Sequence, residues 1–596
     1  MKRIFLAFLV SGLLWSGGVQ AQSTDGGFPW SITEQTNGIR ENIPVTILAT
    51  PDYAAAAEED KISSHGAYRY GLEVDANVNM QNSGKFIYLD KGKIIWTAKV
   101  KVDGAIATAF VFDKFYLPKG VNMFIKNENG KQIVGAFNEK YNPDDGIYST
   151  TLIQGTTAVI ELNIEPGVNI SDIQLNINQV IAAYRGGMAE GIAFDYRDGN
   201  DILLNTANRP LDASDPCNVN AICYPEGTTY EKLRRTAAHI RMGGYVCSGN
   251  LINNVKQDCK PLFLTASHCE STSSMSNSTF GSWMFYFNYE YPSCSVNNTP
   301  ISAISTQYIT GAKFLSRSPY DSSTSSMIGD FLLLELKDNA NKLGNNFNAY
   351  LAGWDRTAFA PQSKHIGFHH PVGDPKKLTV FAKIVGTGSF NGGMNGSHWQ
   401  LSQLEKGGIQ GGSSGSGIFT MSTGRLIGDL SGGPNMPSPC DINGVQNYSV
   451  YSKLNLNWEY NNGGDGTSAT RLKDWLDPNN TDTKFMNTVK MGGNGAACGS
   501  DPFVSVTNVK NDLSQSVNVY PNPSNGIVMV QLNLANAKDI QINVYNLLGE
   551  EVDVYSVTNA VSGNVKVDLS RFPAGVYLLK INADGESTSK KVVLNK

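Results

Sequence analysis

Charge is scarce in this chain. Charged residues fill 17% of 596 positions, against about a quarter in an ordinary globular protein. The 53 acidic residues outnumber the 48 basic ones, for a net charge of −5, so there is no basic excess to bind a nucleic acid. No interior apolar run approaches the roughly 20 residues that span a bilayer, and no transmembrane segment is expected in the mature chain. Cysteine is missing from both ends, since all eight lie between Cys217 and Cys498. No paired C-x-x-C and no H-E-x-x-H helix is present, and those are the spacings that hold zinc. No metal and no other cofactor is therefore expected, and His369-His370 before Pro371 read as structural hydrogen-bonding residues.

What is abundant is glycine, at 60 residues, and aromatics, at 10%, a composition suited to extracellular β-structure. The length calls for several domains. Residues 1–21 read as a signal peptide: Lys2 and Arg3, an apolar core from Ile4 to Leu14, and the small-residue site Val19-Gln20-Ala21. Export permits disulfides. Residues 22–205 are cysteine-free and rich in strand patterns. In Ile94 to Val102 the residues Ile94, Trp96, Ala98, Val100 and Val102 share one face, and Thr97, Lys99 and Lys101 the other. Further strands are predicted at 107–112, 123–126, 132–137 and 157–164, making a β-sandwich: a propeptide that assists folding or blocks a cleft, or a permanent accessory domain. Residues 206–495 carry seven of the cysteines, with Cys498 just beyond; a short helix is predicted over Glu231–Arg241 and another over Ser468–Leu476 that puts Leu472, Trp475 and Leu476 on one face. A linker, 496–515, precedes a last module, 516–596. There Val528, Val530, Leu532 and Leu534, then Ile540, Ile542 and Val544, alternate as in a small antiparallel sandwich.

Three stretches carry chemistry. Gly411-Gly412-Ser413-Ser414-Gly415-Ser416-Gly417 surrounds serines with glycines, which let a backbone turn tightly and aim its N–H groups at one point. A serine nucleophile needs a base and oxyanion donors. Leu262 to Ala266 is an apolar strand leading to His268, and Asp330 opens the apolar run Phe331 to Leu336. The separations are 62 residues from His268 to Asp330 and 84 from Asp330 to Ser414. Histidine, aspartate, serine is the chain order of chymotrypsin-type proteases. These residues alone do not choose among Ser413, Ser414 and Ser416.

The region from Cys217 to Asp477 resembles bacterial lysyl endopeptidases, secreted trypsin-like serine proteases. The resemblance rests on Thr265-Ala266-Ser267-His268-Cys269, Asp330 to Leu336, Ala352-Gly353-Trp354-Asp355-Arg356, His369-His370-Pro371, Gly412 to Ser416, Gly432-Gly433-Pro434 and Ala469 to Asp477. It implies a chymotrypsin-like double β-barrel with Ser414 as nucleophile, His268 as general base and Asp330 as its orienting partner. The backbone N–H groups of Gly412 and Ser414 would form the oxyanion hole. It also implies disulfides Cys217–Cys440, Cys223–Cys294 and Cys247–Cys269. Cys259 and Cys498 are left over, and their pairing with each other stays open. Lysine-specific members carry an S1 aspartate shortly before a Tyr-Gly segment; here Gln446 stands in its place, and Ser431 replaces the histidine before Gly432 and Gly433. Asp441 is the nearest carboxylate able to substitute.

The last module resembles the C-terminal sorting domain of type IX secretion in Bacteroidetes. The matching residues are Val519-Tyr520-Pro521-Asn522-Pro523, Val544-Tyr545-Asn546-Leu547-Leu548-Gly549, Pro573-Ala574-Gly575-Val576-Tyr577 and Lys590-Lys591-Val592-Val593-Leu594. That resemblance implies the type IX machinery as a partner and a secreted or cell-surface location. The expectation for the whole is a secreted, zymogen-like serine endopeptidase acting on proteins or peptides through an acyl-enzyme. The alternative is an inactive protease scaffold serving as a surface adhesin.

Overall fold

In the computed structural model the described residues fall within 26–62, 67–185, 214–499 and 516–595, less internal stretches of which 271–279, 295–306 and 434–447 are the longest. The expected signal peptide, the boundary at 205 and nearly all of the 496–515 linker lie outside them. The chain divides into two compact units at Ser500.

The first unit opens with two facing sheets. Ile94–Lys101 lies between Val45–Ile47, parallel, and Thr157–Ile164, antiparallel. Val121–Asn127 and Ile133–Phe137 extend that sheet. The second sheet runs Ile153–Gln154, Ala107–Tyr116, Gln174–Ala183, Gly71–Asn79. The period-two pattern sends Trp96, Ala98 and Val100 inward against Phe110, Phe112 and Ile177 of the other sheet, none more than 1% exposed. Each large side chain so buried contributes about 1.5–3 kcal/mol. One short strand, β1 (Tyr68–Arg69), leaves this sandwich and pairs with the next part of the chain.

That part holds a half-barrel and a closed barrel. The half-barrel consists of β2 (Ala237–Met242), β3 (Tyr245–Leu251), β4 (Leu262–Ala266), β5 (Met284–Phe287), β6 (Gln307–Thr310), β7 (Ala312–Arg317) and β8 (Phe331–Leu336), in the order β6-β5-β2-β3-β4-β8-β7. The second is β9 (His365–His369), β10 (Lys377–Gly388), β11 (His398–Lys406), β12 (Gly417–Thr420), β13 (Arg425–Gly432) and β14 (Tyr448–Lys453). Its order β10-β9-β12-β13-β14-β11 closes because β11 also pairs with β10. The fold is mainly β, with a closed six-stranded barrel and a half-barrel.

Two helical expectations need correction. Only Glu231–Arg234 of the first is helical, and Ala237 onward is strand β2. Pairing on both edges, with β3 and β5, buries all six residues of β2 and outweighs a local helical preference of a few tenths of a kcal/mol per residue. The second helix is one turn, Lys473–Leu476. Leu472 N–H donates to Asn457 O instead of continuing a helix backward, although Leu472 and Leu476 are buried on one face as expected.

Cys223–Cys294 and Cys247–Cys269 are disulfides, and the leftover pair is joined as Cys259–Cys498. Cys217 is disulfide-bonded as well; Cys440 lies outside the described residues.

The second unit is an antiparallel sheet of five strands. Val528, Val530, Leu532, Leu534, Ile540, Ile542 and Val544 all enter its single core, which is the alternation read from the sequence.

Candidate active site

Strand pairing sets the first half of the site. β4 and β8 are antiparallel with Ala266 opposite Phe331, so the residue just after one strand meets the residue just before the other. Ser267–Cys269 turns once after β4, and the Cys247–Cys269 bridge ties that turn to β3. His268 N–H donates to Asp330 Oδ1 at 3.0 Å, and the His268 ring meets Asp330 Oδ2 through Nδ1 at 2.7 Å. A carboxylate only accepts, so Nδ1 carries the hydrogen and Nε2 keeps a lone pair. That Nε2 is buried and has no hydrogen-bond partner among the described residues. Asp330 is itself wholly buried, and its backbone N–H donates to Ser452 Oγ of β14 at 3.1 Å.

The serine loop is held by polar side chains from several elements. Gln410 N–H donates to Ser413 Oγ at 3.2 Å, and Ser413 Oγ bonds His369 Nδ1 at 2.8 Å. His369 Nε2 bonds Thr379 Oγ1 at 2.6 Å, whose hydroxyl donates to Gly408 O at 3.0 Å. Read from its last acceptor, this chain puts the histidine hydrogen on Nε2 and the Ser413 hydrogen toward Nδ1. Burial, with the Lys377 charge second, pushes His369 down to about 3, so the ring is neutral as the chain requires. From the half-barrel, Ser248 N–H donates to Ser414 O at 2.8 Å and Ser248 Oγ to Gly412 O at 2.9 Å. Gly415 has φ +81°, and a Cβ there would come within 2.1 Å of Thr265 Oγ1. Glycine beside Ser414 is what lets the loop press onto the strand that carries His268.

The N–H groups of this loop divide into used and free. Ser413, Gly415 and Ser416 donate to Gln410 O, Leu430 O and Ser413 O. Among the described residues those of Gly411, Gly412 and Ser414 donate to nothing. Ser414 is 3% exposed.

Residues 211–452 match the family model of the lysyl endopeptidase C-terminal domain. Residues 518–595 match the secretion system C-terminal sorting domain, and the protein is secreted or displayed at the cell surface. The lysyl endopeptidase of Pseudomonas aeruginosa is 28% identical over 305 residues, 48% of this chain and 57% of that protein; the chain thus spans little more than half of that relative. Similar solved structures include Rv3671c of M. tuberculosis in an inactive form (10% identity, TM-score 0.25, 41% of this chain and 90% of that one). A scabies mite inactivated protease paralogue has 13% identity and TM-score 0.24 over 37% of this chain and 88% of its own. The protein is protease-like.

Of the residues expected to shape S1 in this lysyl endopeptidase-like region, Ser431, Gly432 and Gly433 are described, whereas Asp441 and Gln446 lie in the 434–447 stretch outside the described residues. Two neighbours were not anticipated from the sequence. His398 on β11 reaches Ser431 Oγ through Nε2 at 2.9 Å, and its Nδ1 meets Ser397 Oγ at 2.6 Å. Burial pushes this ring down to about 4. A histidine from β11, the strand beyond β14, thus stands against the serine that replaces the family's own. Phe390 lies with its ring centroid 5.2 Å from that of His268, and a Cβ on Gly432 would be 2.9 Å from it. No spacing signals either residue, because 33 positions separate His398 from Ser431. Among the described residues no group of three His, Cys, Asp or Glu side chains could hold a metal ion, and no helix is long and apolar enough to cross a membrane.

Proposed function

We propose that the protein is a secreted serine endopeptidase working through Ser414, His268 and Asp330. The observation that carries this is the His268 ring, fixed to Asp330 at 2.7 Å through Nδ1, with Nε2 buried and hydrogen-bonded to nothing among the described residues, Ser414 Oγ included. Nε2 is then the base that takes the Ser414 hydroxyl proton as Oγ attacks the scissile carbonyl, and Asp330 stabilises the imidazolium that forms. The carbonyl oxygen becomes an oxyanion, and the N–H groups of Gly412 and Ser414, two of the three idle ones in the loop, are the donors for it. The imidazolium passes its proton to the leaving amine, an acyl-enzyme remains on Ser414, and water activated by the same Nε2 releases the acid. Ser413 is the poorer nucleophile because its hydroxyl already bonds His369.

The substrates are proteins or peptides outside the cell, reached through the type IX machinery that reads the C-terminal module. For the P1 side chain, a buried lysine without a counter-charge would lose several kcal/mol, as an order of magnitude. Lysine preference therefore requires a carboxylate such as Asp441 in place of the absent one. With Ser431 engaged by His398, the alternative is a neutral P1 residue.

Cleavage-site profiling on a diverse peptide mixture, with the secreted protein beside its Ser414→Ala twin, tests both readings. Cuts that depend on Ser414 are the expected result, and the residue preceding each cut reports S1. Absence of any Ser414-dependent cut would move the function to the adhesin reading.

A further inference from the structure

The N-terminal sandwich and the half-barrel share one interface. β1 adds to β3 with Arg69 opposite Tyr245 and Tyr68 opposite Val246. The N–H groups of Tyr70 and Gly71 both donate to Gly244 O, at 2.8 and 3.1 Å, and Tyr70 OH donates to Gly243 O at 2.8 Å. The β2–β3 hairpin tip is shaped for this seat. A Cβ on Gly244 would stand 2.1 Å from Gly71 O, and one on Gly243 1.9 Å from Glu73 Oε1.

Behind the added strand the interface is apolar and aromatic. Tyr70, Leu152 and Ile181 of the sandwich pack with Met284, Tyr286 and Tyr308 of the half-barrel, none more than 3% exposed. Arg241 of β2 is 4% exposed, and its guanidinium donates to Thr150 O of the sandwich. Tyr286 OH donates to Thr151 Oγ1 at 3.2 Å, and Lys337 pairs with Asp145. A dry aromatic seam of this kind resembles a domain core cut in half, the composition of obligate interfaces rather than of brief ones. Removing the sandwich would strand a guanidinium and several tyrosine rings in water-facing positions they were not built for.

The same strand reaches the site. Along one edge of β3, Tyr245 and Val246 pair with β1, while Asn250 and Leu251 pair with β4. Between them Cys247 bridges to the residue after His268, and Ser248 bonds Ser414 O and Gly412 O. Sandwich, nucleophile loop and histidine strand therefore share a single edge.

We infer that the sandwich is a permanent, stoichiometric partner of the protease-like part, docked on the β2–β3 hairpin, and that it braces the strand against which the nucleophile loop is set. Its retention is independent of the catalytic reading; the bracing rests on it. A cut anywhere between the two leaves them together, and the sandwich does not act by filling the cleft, since the contacts named fall on β2, β3, β5, β6 and Lys337 just after β8, and not on Phe390 or Gly432.

The test inserts a recognition sequence for a site-specific protease between residues 186 and 213 of the full chain. The cut protein is then run on gel filtration and treated with a fluorophosphonate that labels a reactive serine. The expected result is co-elution of the two fragments at one to one, with serine labelling within twofold of the uncut chain. Separation of the fragments overturns the inference whether or not the released part is labelled. Co-elution with labelling that rises tenfold or more once the sandwich is digested away would make it an inhibitor and overturn the bracing role. Co-elution with no labelling before or after the cut would keep the docking and refute the catalytic reading and the bracing with it.

Discussion

The half-barrel and the closed barrel each supply part of the site by different means. The half-barrel aligns His268 and Asp330 through the β4–β8 register, over a core of residues such as Phe263, Phe285, Leu332 and Leu334. The closed barrel holds the serine loop through a buried polar chain that runs from Ser413 through His369 and Thr379 to Gly408 O. His369 and Thr379 are each at most 1% exposed there. Paired strands set two positions chiefly by a backbone ladder, so the interior beneath them can stay apolar. A glycine-rich loop has no ladder to hold it and needs side-chain hydrogen bonds, which must be buried to be rigid and satisfied to be tolerated.

That contrast can be broken first at the loop. Ser414→Ala should lower turnover by about 10⁴ to 10⁶ while leaving the fold intact. Ser413→Ala loses only the bonds to His369 and Gln410 and should lower it by about 10² at most, as a displaced loop does. Equal losses in steady-state peptide hydrolysis would remove the distinction between nucleophile and scaffold.

Acid should strike the polar side next. Burial holds His369 down to about 3 and His365 and His398 down to about 4, against about 6.5 unfolded. Between those values the unfolded chain binds more protons than the folded one, so stability falls as pH drops from 6.5 toward 4. Each such histidine steepens the fall by about 1 kcal/mol per pH unit. Urea midpoints that stay flat from pH 7 to pH 5 would contradict the neutral buried rings.

On the apolar side, Leu334→Ala should cost about 2–5 kcal/mol through the cavity it leaves. It should shift urea midpoints equally at pH 7 and pH 5, because no titrating group is touched. A pH-dependent shift would mean the half-barrel core is coupled to the buried histidines. A loss of similar size is expected from replacing Cys247 and Cys269 together by serine. Opening that 22-residue loop should cost about 3 kcal/mol. Because the bridge anchors the turn beside His268, activity should fall before the protein unfolds, as a thermal melt and an assay on one sample would report.

Much of this was legible along the chain. The alternation at Ile94–Lys101 and at Val528–Leu534 named the buried faces, since side chains in a strand change sides every residue. His268 and Asp330 were legible because each abuts an apolar run, and runs that pair bring their ends together. The sequence predicts helix on into Ala237–Arg241, and strand prevails there because β2 is paired on both edges, by β3 across the Gly243-Gly244 turn and by the remote β5. His398 and Phe390 carried no signal, because what matters about them is that barrel closure brings β11 and the turn before it up to Ser431 and His268. Nor did any sequence feature announce that Gly243 and Gly244 seat a separate sandwich.

By itself, then, the amino-acid order determined the strand faces, the cysteine-bearing region and the triad candidates, all of which depend on neighbours in the chain. Only the tertiary structure decided which serine hydroxyl is tied up by His369, which N–H groups remain idle, what stands beside Ser431, and that the sandwich shares an edge with the nucleophile loop. Those depend on contacts between residues tens to hundreds of positions apart, and such contacts exist only once the barrels have closed on each other.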